Sequence, residues 1–241
     1  MMLIEFRRSY SKENIEPEYH PLKARLYTIY SNKGGVGKTS LAVAFASELA
    51  KQGLKALLLE LDSSPGDLAT LFGLNPFKNV ITAILDGNYL ESVYPLRENL
   101  SVLLGPPSPL LGEGIKVDEI RKLICFLQRN FEVLVVDTQP LLTTAMVKVM
   151  QLSNEVFFVL TPQTAAVARL NAICELMSDL GIDKEKLRLV INMKRPSDPL
   201  NLREIVQAVD LPLVSIVKYD PNLHKQAFYS SVVIPKNTLT K

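Results

Sequence analysis

The sequence predicts an α/β fold: a doubly wound, mostly parallel sheet with helices on both faces. Strand-like apolar runs alternate with helical patterns along most of the chain, and that alternation builds βαβ units. The runs are continuous and rich in β-branched residues, which marks strands covered on both sides. At 241 residues, 47% hydrophobic and 22% charged, the chain can bury one large core.

The elements follow in order. "RLYTIYS" (25–31) is β-rich and runs into a glycine loop. "KTSLAVAFASELAKQG" (38–53) carries apolar residues at helical spacing and stops at Gly53. "KALLLEL" (55–61) reads as a short buried strand. Further strands are expected at 99–104, 131–137, 155–161, 187–193 and 211–217, with helices near 116–129, 141–152, 164–180, 200–209 and 221–229. "GPPSPLLGEG" (105–114) is the most loop-like stretch, expected on the surface near the carboxyl end of its strand. In such sheets ligands bind at the carboxyl ends of the strands.

Composition narrows the partners. A formal charge of +2 gives no global field for nucleic acid, so any basic surface must be local. Cys125 and Cys174 lie far apart inside apolar helical patterns and read as reduced core residues of a cytoplasmic protein. His20 and His224 have no metal-ligating neighbour at useful spacing. No apolar run reaches the ~18 residues of a membrane span, and the opening 24 residues are too charged for a secretory signal. They read as an N-terminal extension or arm, with the folded domain spanning 25–241.

"YSNKGGVGKTS" (30–40) nearly fits the phosphate-loop pattern G-x-x-x-x-G-K-S/T, with Asn32 where the first glycine belongs and a second lysine, Lys33, five residues before Lys38. Gly34, Gly35 and Gly37 let the backbone around Val36 curl so that successive N–H groups face a phosphate. The helix beginning Lys38-Thr39-Ser40 adds its positive end. Lys38 is expected on the β- and γ-phosphates and the Thr39 hydroxyl on Mg²⁺, which makes this a P-loop NTPase fold. Lys33 has two readings. It is a solvated surface lysine, or a cation on the loop's outer rim that reaches across a dimer interface to a partner's nucleotide, as an arginine finger does.

"KGGVGKT" resembles the deviant Walker A motif of the MinD/ParA superfamily of ATPases, with Lys33 at its signature lysine. The resemblance spans roughly residues 26–235. It implies an ATP-binding, slowly ATP-hydrolysing protein that forms an ATP-dependent homodimer, with Lys33 crossing to the partner's ATP. It also implies a stimulating protein partner.

Other segments fall into the family's pattern. Glu60-x-Asp62 resembles its second acidic motif, usually D-x-D, with Asp62 matching the carboxylate that positions or activates the attacking water. Strand alternation puts Glu60 on the same face as Asp62. "VLVVDTQP" resembles a Walker B strand ending in Asp137, which would hold Mg²⁺ through water. Asn192, at the end of "LRLVIN", matches the family asparagine that reads the adenine edge, since its amide both donates and accepts. Asp220 and Pro221 match the segment beside the adenine and ribose.

Three stretches are most similar to the CpaE/TadZ branch, which localises pilus-assembly machinery: Asp62 with the "SSPGDLATLFGL" that follows it, "VVDTQP" and "FVLTPQTAAVARL". The end "SSVVIPKNTLTK" lacks the basic amphipathic helix of a MinD-type membrane anchor. A ParA-type partitioning ATPase binding DNA nonspecifically is the alternative, with Lys194, Arg195 and Arg203 as candidate contacts. A rival from another class is an ATP-dependent synthetase of the cobyrinic-acid or dethiobiotin type, which shares the fold.

Overall fold

The computed structural model describes residues 24–62 and 67–220. Its centre is an eight-stranded sheet in the order β3-β4-β2-β5-β1-β6-β7-β8. The strands are β1 (Arg25–Tyr30), β2 (Ala56–Leu61), β3 (Tyr94–Arg97), β4 (Leu100–Leu103), β5 (Val133–Thr138), β6 (Glu155–Leu160), β7 (Leu187–Lys194) and β8 (Leu213–Lys218). All pairings are parallel except β3 with β4. From β1 the chain winds outward through β2 and β4, then returns to β5 and winds the other way through β6, β7 and β8. The winding reverses at β1 and β5, where open α/β sheets leave a crevice.

The helices are α1 (Lys38–Lys51), α2 (Asp67–Phe72), α3 (Val80–Asp86), α4 (Pro109–Glu113), α5 (Val117–Asn130), α6 (Thr144–Leu152), α7 (Thr164–Asp179) and α8 (Leu202–Ala208), with a 3₁₀ turn at Lys184–Lys186. Strand alternation sorts the core into two layers. Leu57, Leu59, Leu134, Val136 and Phe158 pack with residues of α3 and α5 to α8 on one face. Tyr27, Leu58, Val135 and Phe157 pack with α1 and with Leu68 of α2 on the other. Both faces are covered, which is why the strand sequences read as unbroken apolar runs.

Three aromatic rings fasten the glycine loop's flanks together. Tyr27 on β1 meets Phe45 on α1 edge-on at 5.2 Å between centroids. Phe157 on β6 lies 5.8 Å from Tyr27 and 5.4 Å from Phe45. Because β1 enters the loop and α1 leaves it, this cluster sets the angle at which the loop is presented.

The seven expected strands are present. The structure adds β3, which escapes a sequence reading because it is four residues long and contains Pro95; a proline is tolerated there on a sheet edge. A two-residue turn links it to β4, with Asn99 at φ 59°, a conformation asparagine accepts more readily than most residues. The short helices α2, α3 and α4 are also additions. α4 lies inside the expected loop 105–114, and its Leu110 side chain is exposed. α3 is defined by a reciprocal cap, in which the Asn79 side chain accepts from Thr82 N–H and the Thr82 hydroxyl accepts from Asn79 N–H. The helix expected at 141–152 starts at Thr144, where the Thr143 hydroxyl accepts from Met146 N–H. The helix expected at 221–229 and most of the N-terminal arm lie outside the described residues. Ala24 is buried, and its carbonyl accepts from Gln128 Nε2 at 2.9 Å. Both cysteines are free thiols. Among the described residues no helix is long and apolar enough to cross a membrane.

Replacing Phe157 by alanine empties the centre of the aromatic cluster. A loss of about 3–5 kcal/mol is expected, measured as a drop in the urea midpoint with an unchanged slope.

Candidate functional site

The glycine loop sits at the carboxyl end of β1, between β5 and β6. Gly35 and Gly37 have φ of 72° and 88°, in the left-handed region where a side chain is strained. Gly37 also terminates the loop as the residue before α1. A β-carbon there would run into the Asn192 amide, so this position requires glycine for space as well as for conformation.

The two lysines of the loop part company. Lys38 is buried, and its ammonium donates to the Lys33 carbonyl at 3.4 Å, inside the curl of the loop. Burial pulls its pKa below the usual lysine value, opposed by the nearby Asp137 and Asp62 carboxylates. Lys33 is exposed on the outer rim, and its ammonium donates to the side-chain carbonyl of Gln163, just before α7. Sequence reasoning missed Gln163; its place past the end of β6, on the carboxyl edge of the sheet, was the available signal.

The acidic residues collect at the ends of the adjacent strands β2 and β5. Glu60 and Asp137 are direct cross-strand partners, and each is 2% exposed. The Thr39 hydroxyl favours the charged form of the Asp137 carboxylate. Asp137 Oδ1 is nevertheless buried without a hydrogen-bond partner among the described residues. Burial pushes the Asp137 pKa up to about 7, with the Glu60 charge adding to the rise and Thr39 and Lys38 opposing it. Burial also raises Glu60, against the stabilising N–H groups of Gly105 and Leu68. Asp62, half-buried, stands two residues beyond Glu60, where β2 has ended. Thr138 anchors the β5 end by donating to the Ile29 carbonyl at 2.7 Å, and the Tyr30 hydroxyl donates to the Pro140 carbonyl at 3.1 Å.

Asn192 lies near the end of β7 and is 5% exposed. Its Nδ2 donates to the Val36 carbonyl at 2.7 Å, while its Oδ1 accepts from its own neighbour, Met193 N–H, at 2.9 Å. Here the amide clasps the glycine loop. Asp220 is exposed beyond β8, next to Tyr219, whose ring lies 3.6 Å beneath the Arg195 guanidinium. Pro221 lies outside the described residues.

These residues suit a phosphate with a divalent cation. The loop's N–H groups and Lys38 form an anion cradle. Thr39 and the orphaned oxygen of Asp137 form a hard-oxygen corner beside it. Among the described residues no group of three His, Cys, Asp or Glu is arranged to hold a metal alone. A cation here would complete its shell with phosphate oxygens and water, as Mg²⁺ does.

Residues 24–189 match the AAA domain family. Among curated proteins, the chain is 25% identical to the septum site-determining protein MinD of Synechocystis, over 83% of this chain and 77% of that protein. Its fold is similar to that of a ParA family ATPase from Chlorobium tepidum, with a TM-score of 0.75 at 17% identity, covering 86% of this chain and 88% of the other. It is also similar to the septum site-determining protein MinD of Pyrococcus horikoshii, solved in complex with Mg-ADP. There the TM-score is 0.73 at 18% identity, over 85% of each chain.

The raised Asp137 pKa sets a pH dependence. Between the usual 3.8 and about 7 the folded chain keeps a proton that the unfolded chain has released, so stability falls as pH rises through that window. Asp137→Asn removes this contribution. Without nucleotide, its thermal midpoint should exceed the unsubstituted protein's by a margin that grows from about pH 5 to about pH 8.

Proposed function

The chain belongs to the AAA domain family, and we propose that, like the MinD and ParA proteins it resembles, it works as an ATP-dependent dimerisation switch with slow ATP hydrolysis. The observation that carries this reading is the separation of the two lysines: Lys38 is folded into the loop, and Lys33 stands exposed on its rim. One subunit's own phosphates need only Lys38. The outward Lys33 is placed to neutralise charge on a nucleotide bound by a second copy, so that ATP becomes a condition for pairing.

The geometry supports a division of labour. Gly34, Gly35, Val36 and Gly37 present N–H groups to the phosphates, and Ser40 and Thr39 open the helix behind them. Thr39 and Asp137 would hold Mg²⁺, Asp137 through water, and the ion would supply charge neutralisation at the phosphate oxygens. Asp62 orients the attacking water and accepts its proton. Phosphoryl transfer depends on such positioning and charge stabilisation. Asn192 and Asp220 border the space for adenine and ribose.

At the finer level, the CpaE/TadZ-like segments support a role in positioning pilus or secretion machinery, with a protein partner that stimulates turnover. A ParA-type, DNA-binding role is the second reading, and it has fewer free cations than the sequence offered. Lys194 is paired with Asp198 at 3.1 Å, and Arg195 is stacked on Tyr219, although it and Arg203 are both exposed. The synthetase reading needs a site for a carboxylate substrate. The groove beside Leu61, lined by Pro106, Ile115, Gln139, Thr143 and Met146, offers no cation for one.

Lys38→Ala should weaken ATP binding by about tenfold to a hundredfold, the loss of a charge-assisted contact. Lys33→Ala should leave monomer affinity nearly intact and abolish ATP-dependent association, because ATP and dimerisation are linked by the same free energy. Calorimetry and analytical ultracentrifugation separate the two; dimerisation of Lys33→Ala as ready as that of its parent overturns the trans role.

Asp62→Ala should bind ATP normally and accumulate as a long-lived ATP-bound dimer. A single-turnover assay checks this, and hydrolysis at the unsubstituted rate would remove Asp62 from its assigned role.

A further inference from the structure

Glu60 is a charged side chain to which the ATPase reading gives no task. It is buried on β2 beside Asp137, and its two oxygens reach different parts of the chain. Oε1 accepts from Leu68 N–H at 3.1 Å, in the first turn of α2. Oε2 accepts from Gly105 N–H at 2.8 Å, just beyond β4. Gly105 is itself in close quarters. A β-carbon on it would lie 3.0 Å from Glu60 Cγ and 3.1 Å from the Asp62 carbonyl oxygen. The backbone at Gly105 is therefore pressed against Asp62 and held there by Glu60.

We propose that Glu60 is the positioning residue for Asp62: it ties the end of β2 to α2 and to the segment after β4, and so holds the backbone that carries Asp62. This rests on the reading of Asp62 as the residue that serves the attacking water. Each of the two bonds joins a backbone N–H to a buried carboxylate, the kind of hydrogen bond that is strong because it is charge-assisted and shielded from water. Reach matters as much as charge. An aspartate is one methylene shorter, and from the same backbone position it cannot span to Leu68 and Gly105 together. An aspartate at residue 60 of this chain would give up one of the two contacts, and the glutamate goes with the absence of a side chain at residue 105.

Three variants of the full chain test this. Glu60→Gln keeps the shape, but its Nε2 faces an N–H that needs an acceptor. It should bind Mg-ATP within about threefold of the unsubstituted protein while single-turnover hydrolysis falls at least about tenfold, the loss of one charge-assisted bond. Without nucleotide, amide exchange at Leu68 or Gly105 should rise by about the same factor. Glu60→Asp keeps the charge without the reach and should behave the same way. Gly105→Ala should slow hydrolysis through the displaced Asp62 carbonyl, again with ATP affinity kept. Unchanged hydrolysis in folded Glu60→Gln overturns the proposal, as does a loss of ATP affinity equal to the loss of turnover. If Glu60→Gln does not fold, Glu60→Asp carries the same two readings. If the unsubstituted protein binds no Mg-ATP, the ATPase reading fails by itself. The exchange experiment then still decides the tether, and unchanged protection at both amides overturns it.

Discussion

Two carboxylates buried side by side govern this site. Glu60 and Asp137 end adjacent parallel strands in direct register, both almost inaccessible to solvent. Like charges at such a depth oppose each other, and each needs compensation that water cannot supply. The chain compensates them unequally. Glu60 is given two backbone N–H groups, whereas Asp137 has the Thr39 hydroxyl and the Lys38 charge in its favour and keeps one oxygen without a hydrogen-bond partner among the described residues. That deficit lies beside the glycine loop, where a divalent cation with a phosphate would remove it. On the ATPase reading, this unmet demand at Asp137 is part of what the nucleotide and its cation would relieve.

The loop is held from three directions. The aromatic cluster of Tyr27, Phe45 and Phe157 fixes the strand that enters it and the helix that leaves it. The Asn192 amide grips the Val36 carbonyl from β7, across a gap that only glycine at residue 37 leaves open. Thr138 ties β5 to β1 at the same level. A phosphate cradle needs its N–H groups aimed before the ligand arrives, because aiming them afterwards would consume binding energy. Both amide atoms of Asn192 engage backbone, and each keeps one further site, a second N–H and a second lone pair, with which a base could be met. Base recognition and loop geometry would then be coupled through one side chain.

Much of this was legible in the chain. The continuous apolar strands and the helical spacing between them foretold a parallel sheet covered on both faces, because hydrophobic periodicity is a local property. The glycine–lysine loop and Asp137 could be placed on the carboxyl edge for the same reason: each follows directly on a recognisable strand. Short elements were harder. α2, α3 and α4 are each under eight residues, too short for a period to show, and β3 is an edge strand that exists only because β4 is there to pair with.

The sequence by itself determined the fold class, the glycine–lysine loop, and which residue types could handle phosphate and Mg²⁺. Only the tertiary structure decided how those residues are paired. Glu60 reaches Gly105 across 45 positions, Asn192 reaches Val36 across 156, and Lys33 meets Gln163 across 130. No local pattern encodes such contacts. They arise when a twisted parallel sheet brings the ends of β1, β2, β5, β6 and β7 to one edge, and the length of each side chain then settles which backbone groups it can reach.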